Sequence, residues 1–396
     1  MIQDPQPAVR QPKSSVPKRI LLMGHSDGQG GAQTAFKKLC AFTSSEGHVL
    51  KIIVLSNHSL SKQSFQSDEL LGRIAYTGSR LLLPIRKALD LLFVAIKALQ
   101  FKPDIFVSVG LNNSSNMVAR ILGKDCFKVG QDFIAQRSQE DPVWASSRKV
   151  MDGLVVQAPS MLDHWKELGT DTRRVNWLPC FPEAPEAGIL KAQKKVSQGD
   201  TKLAYFGRLA GNKGLDLLLA AMADHRIPDN ITLDLWGEGP ERDWLQQLAT
   251  VLGIQQRLHF KGAYPAGAPG ARLIASYDAM LLCSTGMEGL PLILLEAMAY
   301  GLPFLATKVG AIADCCTDNP DTVLVNPDQE SITQGLSQLL QKLQLGHFDA
   351  LRHKSFYDKR FSHQVMAVRW RKFYKNPNQF FLCIFKLSLS LGLPDF

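Results

Sequence analysis

The 396-residue sequence holds seven cysteines, an odd number, and none of them forms a Cys-x-x-Cys pair. That usage argues against a disulfide framework and against a thiolate metal site. None of its nine histidines falls in a His-Glu-x-x-His or His-x-His spacing, so no metal is expected. The G-x-x-x-x-G-K-[ST] loop of nucleoside triphosphatases and the G-x-S-x-G elbow of hydrolases are also missing. No uncharged apolar run reaches the ~18 residues of a membrane span. Residues 1–17 are polar and proline-bearing without the apolar core of a signal, and read as a disordered lead-in. The basic residues are not interleaved with aromatics, and no finger or helix-turn-helix pattern occurs, so nucleic acid is not an expected partner.

What is present is an ordinary globular composition, 45% hydrophobic and 20% charged, in a chain long enough for two domains. The formal charge of +9 is uneven: residues 1–180 carry 23 bases against 15 acids, and residues 181–396 carry 22 against 21. The first half therefore suits an acidic partner or surface. Arg73, Arg80, Arg86, Lys87, Lys97 and Lys102 surround a strongly apolar run at 81–99. That mixture fits an interfacial amphipathic segment near anionic lipid, and equally a core helix with solvated basic positions.

Short apolar strand candidates at 19–23, 49–55, 104–109, 127–129 and 153–157 alternate with helices at 32–45 and 81–99. A proline-rich break at Pro179-Cys180-Phe181-Pro182 opens a linker over 181–200. A second alternation follows, with strands at 203–206, 231–236, 258–260, 279–283, 303–307 and 322–325. Between them lie helices at 215–222, 241–252 and 331–343 and a short helical turn at 272–275. The fold class is α/β, with two open parallel-sheet units. Such units hold ligands beyond the carboxyl ends of their strands, where the glycine-rich turns fall. The apolar tail at 377–396 has no assigned role.

Four stretches could carry chemistry. Glu288 and Glu296 bracket a helix expected over 292–300, with Pro291 as its first residue and Gly301 as its stop. Glu296 is the only charge on an apolar helix and needs a polar partner at a rim. Glu288 lies beside Gly289, where exposed backbone N–H groups favour anions. In Gly207-Arg208-Leu209-Ala210-Gly211-Asn212-Lys213-Gly214, glycines permit close backbone approach to an anion and the two cations can neutralise a diphosphate. Gly237 belongs to a second strand-end glycine turn, which could equally do no more than turn the chain. Gly28-Gln29-Gly30-Gly31 follows the first strand, but the dinucleotide spacing fails because Gln33 stands in the last glycine place. His25 ends that first strand. Plain alternatives stand beside each reading: solvated bases at 208 and 213, a loop acid at 288 and a buried ion pair at 296.

Together these residues resemble the retaining glycosyltransferases of family 4, also called group 1, with their two-domain GT-B fold. The pattern E-x7-E is met by Glu288 and Glu296 in the context Glu-Gly-Leu-Pro-Leu through Glu-Ala-Met-Ala to Gly-Leu-Pro. The Gly207–Gly214 loop, Gly237-Glu238-Gly239-Pro240 and Phe260-Lys261-Gly262 fall in the family's order. The resemblance implies two Rossmann-like domains facing across a cleft: 1–180 for the acceptor, 201–360 for a nucleotide sugar, and a helix at 361–376 crossing back. It implies a hexose-type transfer from a nucleotide diphosphate sugar to a glycan or lipid-linked acceptor, in surface polysaccharide or glycolipid synthesis. Arg208 and Lys213 would hold the diphosphate, Glu296 the ribose, and Glu288 the transferred sugar. Gly207, Gly237, Gly289, Leu290 and Leu292 would line the donor site; Gly30, Gly31, His25 and Asp132 would line the cleft from the first domain. No cofactor or metal is implied beyond the donor. The expected location is the cytoplasm, peripheral on the inner face of a membrane.

The sequence departs from the family in its first half. A histidine common at 103–109 is absent, and Gln131 stands where a second one precedes Asp132. Alternatives of other classes are a nucleotide-sugar epimerase or phosphorylase on the same architecture, and a non-catalytic nucleotide-binding module.

Overall fold

The structure is a computed structural model and describes residues 16–26, 31–56, 69–75, 83–133, 138, 140–182, 185–191, 201–286 and 288–382. Two sheets organise it. The first contains β1 (Arg19–His25), β2 (Val49–Leu55), β3 (Leu70–Ile74), β4 (Ile105–Val109), β5 (Phe127–Gln131), β6 (Gly153–Val156) and β7 (Val175–Trp177). Their order is β3-β2-β1-β4-β5-β6-β7, and every pairing is parallel. The second sheet contains β8 (Thr201–Phe206), β9 (Ile231–Trp236), β10 (Leu258–Gly262), β11 (Ala279–Leu282), β12 (Phe304–Thr307) and β13 (Thr322–Val325). It is ordered β10-β9-β8-β11-β12-β13, again all parallel. Helices cover the faces, so Ile20, Leu21, Leu22 and Met23 of β1 are all buried, as a strand covered on both sides requires.

The order of strands reverses between β1 and β4, and again between β8 and β11. At such a switch point the connections on either side diverge and leave a crevice beyond the carboxyl ends. The turn after β8 and the loop after β11 are therefore neighbours, though more than seventy residues separate them in the chain.

Several elements differ from the sequence reading. The short turn at 272–275 is part of a full helix, Gly267–Ser276. Pro291 is not in the first turn of its helix; with ψ at 111° it is the extended residue just before Leu292–Ala299, and its carbonyl accepts the Leu294 N–H at 3.0 Å. The polar Asn112-Asn113-Ser114 does not merely end a strand. Asn112 caps the helix Asn113–Ile121, its side chain accepting the Ser115 N–H while Ser115 Oγ accepts the Asn112 N–H. Strands β3 and β7 and the helices Pro142–Val150, Pro159–Glu167 and Ala350–Arg360 carry periodicities too short or too mixed to be read alone.

The helix His363–Lys375 returns to the first domain. There Arg369 donates to the Trp177 carbonyl at 2.7 Å, Arg371 pairs with Glu46 at 2.7 Å, and Tyr374 Oη shares a hydrogen with Thr43 Oγ1 at 2.7 Å. Phe381 continues this contact, buried over Gly153 and stacked on Phe127. Residues 383–396 of the apolar tail and 192–200 of the linker lie outside the described residues.

Candidate functional site

The site starts from two glycine turns that interlock. Gly237 follows β9 with φ at 137°, and a Cβ there would lie 1.8 Å from the Gly207 carbonyl oxygen. Only glycine permits this approach, which holds the turn after β8 against the turn after β9. The chain then makes the short 3-10 turn Gly211–Lys213, ended by Gly214 in the left-handed region at φ 59°. A Cβ on Gly214 would meet the Cys283 carbonyl at 2.1 Å, so this turn docks on the end of β11. The N–H groups of Thr285 and Gly286 both donate to the Asn212 carbonyl, at 3.0 and 3.1 Å. The cation-bearing loop and the loop that carries Glu288 are thus one hydrogen-bonded unit.

Within that unit Lys213 Nζ donates to Glu288 Oε1, the two side chains being 21% and 13% exposed. Ser284 Oγ donates to the same carboxylate oxygen at 2.6 Å. Thr307 Oγ1, at the end of β12, donates to the Ser284 carbonyl at 2.6 Å and fixes the loop from below. A half-buried carboxylate held by one ammonium and one hydroxyl is fixed in orientation, which suits a positioning role. Arg208 is exposed on the same loop, and Glu296 lies half-buried on Leu292–Ala299. Gly289, Leu290 and Leu292 are half-buried between the two acids.

The second domain meets the first at this point. A Cβ on Gly289 would lie 2.6 Å from the Phe133 carbonyl oxygen of the first domain, and Leu290 packs against two apolar clusters, each with residues from both domains. Nearby, Asp314 accepts hydrogen bonds from the Ser160 N–H and hydroxyl at the start of Pro159–Glu167, across the two domains. Burial pushes the Asp314 carboxyl above its ordinary range, though these hydrogen bonds oppose that shift.

The first-domain residues differ in burial. Gly31 is exposed as the first residue of Gly31–Ser45, with open space where a Cβ would stand. His25 is half-buried at the end of β1. Asp132 is fully buried just beyond β5, its N–H donating to the Val155 carbonyl and its carbonyl accepting from Gln157 Nε2. Gly30 lies outside the described residues. No cluster of three or more metal-binding side chains occurs among the described residues.

Sequence reasoning missed Ser284, Thr307 and the Asp234 network. In that network Trp236 Nε1 donates to Tyr277 Oη, Tyr277 Oη donates to Asp234 Oδ2, both at 2.7 Å, and His259 Nδ1 lies 2.8 Å from Asp234 Oδ1. It ties the ends of β9 and β10 beside the Gly237 turn. Only the position of Ser284, four residues before Glu288, offered a signal in the sequence.

Comparison with known proteins adds to this geometry. Residues 200–342 match the family described as glycosyl transferases group 1. Over those residues the second domain is similar to the group 1 glycosyltransferases. Over 181 residues the chain is 30% identical to a GDP-mannose-dependent α-(1-6)-phosphatidylinositol monomannoside mannosyltransferase of Mycolicibacterium smegmatis, covering 43% of this chain and 45% of that protein. The chain thus spans less than half the length of that relative. It is 26% identical to the lipopolysaccharide core biosynthesis glycosyltransferase LpsE of Rhizobium meliloti, over 66% of this chain and 70% of that one. The structure of Anabaena HepE in complex with UDP and glucose superposes with a TM-score of 0.73 over 91% of this chain and all of that one, at 17% identity. The two domains therefore have the GT-B fold, two Rossmann-like units with parallel sheets.

Proposed function

We propose that the protein is a retaining glycosyltransferase. It moves a hexose-type sugar from a nucleotide diphosphate sugar to a glycan or lipid-linked acceptor in surface polysaccharide or glycolipid synthesis. The observation that carries this reading is the Lys213–Glu288–Ser284 constellation at the β8/β11 switch point, facing the first domain. The HepE complex with UDP and the named activities of the relatives support a donor of that class.

In this reading Arg208 and Lys213 neutralise the diphosphate and stabilise the charge that grows on it as the glycosidic bond breaks. Lys213 is paired with Glu288 before the donor arrives, so the diphosphate shares the ammonium with that carboxylate. Glu296 accepts hydrogen bonds from ribose hydroxyls, and Glu288 positions the transferred sugar. The acceptor approaches from the first domain on the face the leaving group departs from, and the released phosphate takes the acceptor proton. No metal is needed where two fixed cations meet the phosphates.

A thermal-shift screen of nucleotide sugars and nucleoside diphosphates tests the reading. A true donor stabilises by mass action, about 2.7 kcal/mol at a hundredfold excess over Kd. Lys213→Ala abolishes both that shift and turnover. Absence of a response to every donor and free diphosphate, or full turnover by the K213A protein, refutes it.

A further inference from the structure

The helix Leu83–Phe101 has two apolar faces. One is buried on β3 through Leu91, Val94, Ala95 and Ala98. The other is Ile85, Leu89, Leu92, Ile96 and Leu99, spaced alternately four and three residues apart, so they form one continuous stripe. These five side chains are 49–63% exposed, and Phe93 beside them is 52% exposed. The stripe runs roughly 21 Å along the helix axis. With Phe93 it offers about 600 Å² of apolar surface, the upper end of what an ordinary monomer leaves uncovered.

The exposed charges of this helix beside the stripe have one sign. Arg86 and Lys97 are exposed along the edge that Phe93 occupies, and the Lys97 ammonium lies 4.3 Å from the Phe93 ring centre. The helix has a single acid, Asp90, and its carboxylate turns back to accept the Ala75 N–H at 2.9 Å. A second copy of the chain is a poor occupant on that account. Antiparallel pairing about Leu92 sets Lys97 toward Lys87 of the other copy, and parallel pairing sets Arg86 toward Arg86, with no acid to separate them. An anionic bilayer takes the same apolar stripe and gains from both bases.

We propose that this stripe, edged by Arg86 and Lys97, is a docking surface for an anionic lipid bilayer, with the helix lying in the interfacial plane. No helix among the described residues is long and apolar enough to cross a membrane, so the contact is with the surface. The helix leads from β3 into the parallel strand β4, so its first turn lies at the carboxyl edge of the sheet, the edge where the cleft opens. Lying on a bilayer, it brings the mouth of the cleft to the lipid surface. That purpose rests on the lipid-linked acceptor proposed above; the binding itself does not.

The test is sedimentation of the full chain with vesicles of phosphatidylcholine and phosphatidylglycerol in equal parts, against phosphatidylcholine alone. The protein is expected to bind the anionic vesicles at low salt and to be released as salt rises. The double variant Leu89→Glu with Ile96→Glu should bind at least about tenfold more weakly, and Arg86→Gln or Lys97→Gln each about fivefold more weakly. All four positions are exposed, and an unchanged thermal shift with nucleotide shows that each variant is folded. No binding by the parent chain, equal binding to neutral vesicles, or unchanged binding by the double variant overturns the proposal. So does a concentration-dependent dimer that the double variant loses in a protein that ignores vesicles. Vesicle binding by a protein that responds to no nucleotide would instead overturn the transferase reading and leave this one standing.

Discussion

Replacing Glu288 by glutamine should tighten the binding of a free nucleoside diphosphate while lowering transfer. Glu288 holds Lys213 and places a negative charge at the centre of the proposed phosphate site. A diphosphate entering there must share the ammonium with that carboxylate and approach a like charge. Taking a separation of about 6 Å and an effective dielectric of about 20 to 40, loss of one negative charge favours the ligand by about 1–3 kcal/mol. Screening puts the effect toward the lower end, about tenfold in Kd. The unliganded variant loses the ion pair yet keeps the Ser284 hydroxyl on the amide oxygen, so its stability falls by about 1–2 kcal/mol, less than for a fully buried pair. The two effects have opposite signs, so a general loss of structure cannot imitate them. Isothermal titration with UDP and GDP at fixed ionic strength, beside chemical denaturation, measures both. Diphosphate binding that is unchanged or weaker in E288Q would refute the claim that the carboxylate competes for Lys213.

Other consequences are more local. Gly237→Ala should cost about 3 kcal/mol, because its Cβ meets the Gly207 carbonyl and its φ is closed to alanine; calorimetry should show a clear loss in Tm, and a fall of under about 2 °C would contradict the interlocked turns. Gly289→Ala should hold the domains apart at Phe133 and lower turnover; an increased radius of gyration by small-angle scattering checks this, and an unchanged radius with full turnover refutes it. His353 is buried and its pKa is lowered from 6.5 to about 4 by desolvation. The unfolded chain therefore binds this proton first: the contribution is complete above pH 6.5 and is lost as pH falls toward 4, to a total of about 3 kcal/mol. Denaturation at pH 7 and pH 4.5 should show this loss in the parent chain and a smaller one in His353→Asn.

The alternation of short apolar runs with helices determined the α/β class, because a strand buried on both faces must be apolar at every position, as Ile20–Met23 and Leu203–Phe206 are. The residues of the candidate site in the second domain stood out for a related reason: a charge inside an apolar helix and cations between glycines are unusual locally, whatever the fold. Polar helix starts were not legible in this way. Asn112 and Ser115 look like loop residues until the backbone groups they satisfy are known. Tertiary structure alone decided three things. It brought Lys213 to Glu288 across the β8/β11 switch point, it set Ser284 and Thr307 beneath that pair, and it left the outer face of Leu83–Phe101 uncovered. Each depends on which strand lies beside which, and periodicity along one chain reports a buried face but not the neighbour that buries it.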